Sequence, residues 1–185
     1  MIRKYAKKLP SNFELDRYGL HVRLVREEDA EFIVRLRTDS KLGHYIHSTS
    51  SDVSKQVEWI KDYRKRETAG TEYYFIFETI EREPVGVVRI YKIEEDKYTS
   101  GSWLAKSNIV GAGVLCDIIA REIAFELYPD SVNYYDVRKG NKKVIRYHQS
   151  YHPTIYKEDE ENVYFYLNKQ NFDKYKKLYI RMAKL

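Results

Sequence analysis

Apolar and polar positions in the first third of the chain follow two different periods. Residues 20–25 alternate apolar with polar, which is typical of a half-buried β-strand. In residues 28–38 the apolar positions fall mostly on one helical face, and acidic residues occupy the first turn. A polar loop over residues 39–51 follows, and Asp52 can cap a second helix whose apolar positions recur near 3.6 spacing. The pattern predicts one strand followed by two helices.

The middle of the chain is rich in β-branched and aromatic residues. Residues 73–78 and 85–91 are two such runs at hairpin distance, and residues 98–104 extend them. Residues 112–127 then carry an apolar stripe at helical spacing. We therefore expect a three-stranded meander followed by a long amphipathic helix.

The last third predicts a strand over residues 132–137, a helix over 142–150 and a strand over 162–167. The whole order is β α α β β β α β α β, which predicts an α/β fold. Parallel pairing is expected only where strand, helix and strand follow one another, so the sheet should be mixed. Residues 1–18 are basic and weakly periodic, and we interpret them as an N-terminal extension of a single domain spanning residues 1–185.

Composition narrows the class of protein. A length of 185 residues suits one domain, and 43% hydrophobic with 33% charged residues argues against both disorder and a membrane-spanning protein. The net charge of +5 suits an anionic partner without identifying one. Cys116 is the only cysteine, so an internal disulfide is impossible and we expect a cytoplasmic protein. The N-terminus lacks the apolar core of a secretory signal.

A G-x-G sequence at Gly111 and Gly113 lies between the strand at 98–104 and the helix at 112–127. Glycines allow close approach of the backbone to an anion, and the free N–H groups of a first helical turn form a phosphate site. Pyrophosphate is the expected ligand, and a close-packed helix start without a ligand is the structural alternative. A dinucleotide fingerprint would need a third glycine, and residues 114–116 supply none.

The chain resembles the GNAT acetyltransferase superfamily at two motifs. Residues 108–113 match the pyrophosphate loop Q/R-x-x-G-x-G/A except that Asn108 occupies its first place. Residues 141–152 resemble N-x-x-A-x-x-x-Y-x-x-x-G-F, with Asn141 retained, His148 at the tyrosine position and Tyr-His in place of Gly-Phe. With the order of elements, the resemblance covers about residues 20–168.

The resemblance implies a mixed, mostly antiparallel central sheet flanked by helices and splayed between the fourth and fifth predicted strands. Acetyl-CoA would lie in that gap as the co-substrate, with its pantetheine arm along the backbone of the fourth strand and its pyrophosphate on the glycine turn. The residues assigned to acetyl-CoA are Trp103, Leu104, Ala105, Asn108, Ile109, Val110, Gly111, Ala112, Gly113 and Asn141.

The implied chemistry is transfer of an acetyl group from a thioester to a primary amine. A donor should ease departure of the thiolate, and His148 at the family's tyrosine position or the adjacent Tyr147 can serve. The amine must also lose a proton, for which Glu78, Asp136 and a water chain remain open.

Acceptor choice in this family depends on the segment between the first two helices. We expect His44, Tyr45 and His47 there, together with Glu78, to contact a small-molecule amine. A nucleotide-linked amino sugar is the preferred acceptor; a ribosomal-protein α-amino group and a catalytically inactive acyl-CoA-binding module are the alternatives. The histidine pairs lack a third metal ligand, so no metal is expected. We expect no nucleic acid and no membrane as partners, and a monomer or homodimer.

Overall fold

The computed structural model describes residues 8–46, 48–106 and 109–183 of the chain. In this part the strands are β1 (Glu14–Arg17), β2 (Leu20–Leu24), β3 (Glu72–Glu78), β4 (Pro84–Tyr91), β5 (Lys97–Ala105), β6 (Val132–Arg138), β7 (Thr154–Glu158) and β8 (Asn162–Asn168). The α-helices are α1 (Ala30–Thr38), α2 (Val53–Ala69), α3 (Ala112–Leu127), α4 (Lys142–Gln149) and α5 (Lys169–Met182). Two 3-10 turns, Glu27–Asp29 and Gly43–Tyr45, precede and follow α1.

All strands of this described part join one sheet in the order β1-β2-β3-β4-β5-β6-β8-β7. Neighbouring strands are antiparallel except for β5 and β6, which are parallel. Parallel neighbours need a crossover, and α3 supplies it. The expectation of a mixed, mostly antiparallel sheet flanked by helices is confirmed.

The predicted splay lies between β5 and β6. Their ladder joins residues 97–99 to residues 132–134, and in the described chain no pairing continues it toward the ends of the two strands. On the other edge of β5 the register with β4 shifts between Val87 and Arg89, where Ser102 and Trp103 share one partner position. Ser102 has a φ of 49°, so the strand bends at this bulge. The bulge and the short ladder together open a gap beside β5.

The two faces of the sheet carry separate cores. Tyr73, Phe75 and Phe77 of β3 pack in the cluster that contains α3 and Phe172 of α5, whereas the alternate residues of β3 pack against α1 and α2. Helix α3 is apolar around most of its circumference, and such a helix is buried on several sides. The charged residues Asp117, Arg121 and Glu122 of this helix are therefore enclosed as well, and Arg121 has 1% of its surface exposed.

Every element predicted from the sequence is present, and each predicted end lies within two residues of the observed one; no C-terminal end was predicted for α2, which ends at Ala69. The structure adds β1, β7 and α5, which were not predicted. Strand β1 is four residues long within the stretch interpreted as an extension, and all of β7 is exposed, so neither shows the alternation of a half-buried strand. Helix α5 fully buries only Phe172, but Tyr175 and Tyr179 pack partly buried on the same core, so their helical spacing was a signal that the prediction did not use.

Candidate active site

A cleft of about 830 Å³ occupies the gap between β5 and β6 and extends over the loop before α2. Trp103 and Leu104 of β5, Tyr135 and Asp136 of β6, and His148 of α4 are among its walls. The volume is in the range of small-molecule sites. The diverging strands thus create a pocket that a continuous ladder would close.

The N-terminus of α3 lies beside the bulged part of β5. Gly111 caps the helix with a φ of 84°, and a side chain there would meet the Cβ of Ala183 at 2.8 Å. The amides of Ala112 and Leu115 donate to carbonyls of the turn, whereas the described residues provide no acceptor for the amides of Gly113 and Val114. Unpaired amides at the positive end of a helix attract an anion. This turn has the features required for a phosphate.

One edge of β5 is available for backbone pairing. Strand β4 occupies the other edge up to the pairs formed by Leu104 and Ala105, while β6 leaves β5 after Thr99. An extended amide-containing chain can hydrogen-bond such an edge as an added strand does. The free edge leads toward the α3 turn, because the indole N–H of Trp103 donates to the carbonyl of Gly113 at 2.7 Å. Acetyl-CoA, with an amide arm and a pyrophosphate, fits this combination.

Four polar side chains form a buried network at the inner wall of the cleft. The Arg121 Nε donates to Asp117 Oδ1 at 3.0 Å, and the hydroxyl of Tyr147 donates to Asp117 Oδ2 at 2.8 Å. Arg121 Nη2 lies 3.3 Å from His148 Nδ1. The guanidinium also stacks 4.6 Å from the ring centre of Tyr135. The network connects α3 to α4 across the base of the site.

Burial sets the protonation states in this network. Burial, together with the positive charge of Arg121, holds the pKa of His148 well below its usual value of 6.5. Burial and the nearby Asp117 carboxylate raise the pKa of Tyr147 well above 10.0. Burial raises the pKa of Tyr135 to about 12, although Arg121 opposes the shift. At neutral pH the imidazole and both phenols are therefore uncharged.

The two predicted thiolate donors differ in position. His148 lines the cleft, while the Tyr147 hydroxyl points into the interior, where it meets Asp117 and lies 3.2 Å from the hydroxyl of Tyr151. Asn141 also lines the cleft, and its side chain caps α4 by accepting from the amide of Val144. The described residues of the predicted pyrophosphate loop, Ile109, Val110, Gly111, Ala112 and Gly113, lie together at the start of α3.

The predicted acceptor residues are only partly brought together. Tyr45 lines the cleft and donates to the carbonyl of Gly140 at 3.1 Å, and His44 packs edge-on against its ring. Glu78 lies at the end of β3 in an ion pair with Arg23 at 2.7 Å, apart from the cleft. Asp136, the other carboxylate considered for the proton, is a cleft residue. His47 and Asn108 lie outside the described residues.

Asp117 and Arg121 were missed by the sequence analysis. They lie four residues apart on α3, on the part of the helix that the apolar stripe surrounds, and this pair of opposite charges at i, i+4 spacing was the available signal. In the described residues no helix is long and apolar enough to cross a bilayer. The same residues hold no cluster of three or more His, Cys, Asp or Glu side chains suited to a metal ion.

The divergent parallel strands, the bulged strand and the glycine turn at a helix N-terminus define an acyl-CoA-dependent transferase fold. The acetyltransferase (GNAT) domain family matches residues 20–154. The chain therefore belongs to the GNAT family and is an acetyl-CoA-dependent N-acetyltransferase.

Solved structures of several acetyltransferases are similar to the chain. The apo structure of FdhC, described as a nucleotide-linked sugar GNAT, is 33% identical with a TM-score of 0.80, over 93% of this chain and 99% of that one. Campylobacter jejuni N-acetyltransferase PseH, in complex with acetyl coenzyme A, is 23% identical with a TM-score of 0.61, over 80% and 99%. Ribosomal-protein-S5-alanine acetyltransferase from Vibrio fischeri is 13% identical with a TM-score of 0.70, over 85% and 98%. Because PseH and the Vibrio fischeri enzyme are less than 25% identical to the chain, these two comparisons show only that the fold is shared. Comparison with curated protein sequences gives no significant match.

Proposed function

We propose that this enzyme transfers an acetyl group from acetyl-CoA to the primary amine of a nucleotide-linked amino sugar. The observation that carries the proposal is the 33% identity to a nucleotide-linked sugar GNAT over 93% of the chain. The size of the cleft supports it, because a volume of about 830 Å³ can hold a large acceptor beside an acyl donor.

Residues of β5 and α3 would hold acetyl-CoA. The free edge at Trp103, Leu104 and Ala105 would pair with the pantetheine amides, and the amides of Gly113 and Val114 would receive the pyrophosphate. The co-substrate supplies an acetyl group activated as a thioester, with a thiol as its leaving group. The geometry of the two elements supports this assignment because the Trp103–Gly113 hydrogen bond holds them together.

The acceptor would enter from the side of the α1–α2 loop. Arg37, Lys55, Arg89 and Arg138 line the wall of the cleft, Arg89 and Arg138 in ion pairs with Glu72 and Glu161, and these cations suit a diphosphate. Aromatic faces from Trp59, Tyr91 and Tyr164 line the same wall and suit stacking with a base or sugar. A charged diphosphate and two rings match this mixed lining better than an apolar substrate does.

Two side chains would act at the reacting atoms. Asp136 places a carboxylate in the cleft that attracts the acceptor ammonium group and can take up its proton, directly or through water. His148 would donate a hydrogen bond to the departing sulfur. Alignment of amine and thioester in one cleft lowers the entropic part of the barrier.

A panel of amines tests the proposal. Release of free thiol from acetyl-CoA is followed with amino sugars linked to uridine or thymidine diphosphate, the same sugars without the nucleotide, a ribosomal-protein N-terminal peptide and spermidine. We expect turnover with a nucleotide-linked amino sugar at a kcat/KM at least about 100-fold above that of the free sugar. Preferred turnover of the peptide or of spermidine would contradict the proposal. Thermal stabilisation by acetyl-CoA without thiol release from any amine would identify a binding module instead.

A further inference from the structure

We propose that Arg121 is a positioning residue for His148. It fixes the neutral imidazole as the tautomer with its proton on Nε2. The Nε2–H of this ring, which lines the cleft, is then available to donate a hydrogen bond. The proposal deepens the proposed function and rests on it in one respect: that function identifies the departing sulfur of acetyl-CoA as the atom that receives the hydrogen bond. The catalytic residue in this scheme is His148, and Arg121 acts through it.

The first argument is the direction of one hydrogen bond. Arg121 Nη2 lies 3.3 Å from Nδ1 of His148, and a guanidinium can only donate. Nδ1 must therefore carry the lone pair, and a neutral imidazole then carries its single proton on Nε2. Among the described residues Nε2 has no hydrogen-bond partner, so this N–H is not consumed inside the protein.

The second argument is that Arg121 is locked in place. Its side chain is 1% exposed, its Nε is paired with Asp117 Oδ1 at 3.0 Å, and its plane stacks on Tyr135. Although burial disfavours the guanidinium charge, the carboxylate of Asp117 outweighs this effect and raises the pKa of Arg121 above its usual value. The donor to Nδ1 is thus permanently charged, and its contacts with Asp117 and Tyr135 hold it beside His148, although its Nη1 has no hydrogen-bond partner among the described residues.

The third argument concerns the other groups that face His148. Trp103 from β5, Tyr135 from β6 and Tyr147 from α4 present rings at 5.7, 4.5 and 5.0 Å between centres. The carboxylate of Asp117 is directed at Arg121 and Tyr147, so no described carboxylate pairs with the imidazole. Burial and the Arg121 charge both oppose protonation, which agrees with the lowered pKa of His148.

The chemical consequence is a division of roles. The acceptor nitrogen bonds to the acyl carbon, the carbon–sulfur bond breaks, and the sulfur leaves with the electron pair. Nε2–H of His148 can donate to that sulfur, but it is a far weaker acid than a thiol of pKa about 8.5 and keeps its proton. His148 also cannot take the proton of the amine, because Nε2 has no lone pair to offer. That proton passes to Asp136 or to water, and the thiolate is protonated from solvent.

The tautomer can be measured on the free protein. Long-range ¹H–¹⁵N spectra of the histidine rings are recorded from about pH 5.5 to about pH 8.5, and His148→Gln assigns the signals of His148. We expect an unprotonated Nδ1 and a protonated Nε2 throughout. A protonated Nδ1, a mixture of tautomers or titration near pH 6.5 would overturn the proposal.

A conservative variant tests the role of Arg121 itself. Arg121→Lys keeps a cation beside Asp117 but loses the second donor group that reaches His148. We expect kcat to fall about tenfold or more while the KM for acetyl-CoA changes less than about twofold, with a mixture of His148 tautomers. Arg17→Lys is the matched control, because Arg17 of β1 pairs with Glu122 and Glu126 of the same helix and makes no described hydrogen bond or ion pair to His148. We expect this control to keep the kcat of the wild-type enzyme and the wild-type tautomer of His148.

The outcomes separate the two proposals. An unchanged tautomer and an unchanged kcat in folded Arg121→Lys would overturn the role of Arg121. If that variant does not fold, the spectra of the wild-type protein decide the proposal alone. Failure of the nucleotide-sugar panel would overturn the acceptor assignment and leave the tautomer result intact, because kcat can then be measured with whichever amine is turned over.

Discussion

The indole N–H of Trp103 donates a hydrogen bond to the carbonyl oxygen of Gly113 across 2.7 Å. Trp103 follows the bulge of β5, and Gly113 lies in the first turn of α3. The bond therefore joins the open strand edge to the turn whose Gly113 and Val114 amides have no acceptor among the described residues. The bond holds together the two parts of the proposed acetyl-CoA site.

Replacing Trp103 by Phe removes this donor and keeps an aromatic ring in the core. We expect the KM for acetyl-CoA to rise about threefold to tenfold and unfolding free energy to fall by about 1 kcal/mol, the usual value of one hydrogen bond. The kcat at saturating acetyl-CoA should stay within about twofold of wild type, because no group at the reacting atoms changes. Steady-state kinetics with chemical denaturation measures both effects. A fall in kcat at unchanged KM would show that the bond has another role.

The two glycines of the α3 turn should respond differently to alanine. In Gly111→Ala the new Cβ would meet Ala183 at 2.8 Å at a φ of 84°, so we expect a loss of about 1–3 kcal/mol of stability. In Gly113→Ala the Cβ meets only the Cβ of Ala105 at 3.4 Å, an ordinary contact. The second variant should fold normally, and any rise in its KM for acetyl-CoA reports crowding at the proposed phosphate site. Equal unfolding midpoints for the two variants would contradict this difference.

Phenylalanine substitutions at adjacent positions of α4 distinguish the two thiolate donors. His148→Phe keeps a ring of similar size and removes Nε2–H, so we expect kcat to fall about 10–100-fold, the value of a hydrogen bond to a charged group. Tyr147→Phe removes a hydroxyl bonded to Asp117 and Tyr151, and kcat should change less than about threefold. Initial rates at saturating acetyl-CoA decide between them. A larger fall for Tyr147→Phe would reverse the assignment.

Glu78→Gln is expected to affect stability rather than catalysis. Glu78 is buried and its carboxylate accepts from the Arg23 Nε and Nη2 at 3.0 and 2.7 Å, so loss of its charge leaves a buried guanidinium partly uncompensated. Arg23 keeps its two hydrogen bonds to Asp29 at 2.8 Å, so we expect a loss of about 1.5–3 kcal/mol, the value of hydrogen bonds to a charged group, which denaturant unfolding detects. The KM for the acceptor amine should remain at the wild-type value. A selective rise in that KM would instead support the contact with the acceptor that the sequence analysis predicted.

The buried imidazole also predicts how stability depends on pH. His148 has a pKa well below 6.5 when folded, whereas the unfolded chain recovers the usual value. As pH falls below 6.5, the unfolded state binds the proton first, so the free energy of unfolding decreases by up to about 1.4 kcal/mol per pH unit from this group. Above pH 6.5 the group contributes no slope. Unfolding of wild type and His148→Phe at several pH values should show a smaller acid loss in the variant; identical slopes would show that His148 is not kept neutral.

Short-range patterns of apolar and polar residues were sufficient to predict most helices and strands of the fold. Alternation over residues 20–25 and helical spacing over residues 112–127 predicted β2 and α3, because burial on one face or stripe leaves a periodic signal. Asn141 was identified from its motif, and the structure shows it as the cap of α4. Strand β7 was not predicted, because an exposed edge strand has no buried face and therefore no alternation of apolar and polar residues.

By itself, the sequence determined the order of the ten elements that it predicted, the glycine turn at residues 111–113 and the family, since all three depend on neighbours along the chain. Only the tertiary structure decided that His148 faces the cleft while Tyr147 points inward. Consecutive helical residues point about 100° apart, and the orientation of α4 on the sheet selects between them. The same holds for Arg121: its charge is visible in the sequence, but its partner His148 lies on another helix, and packing between the two helices brings them together.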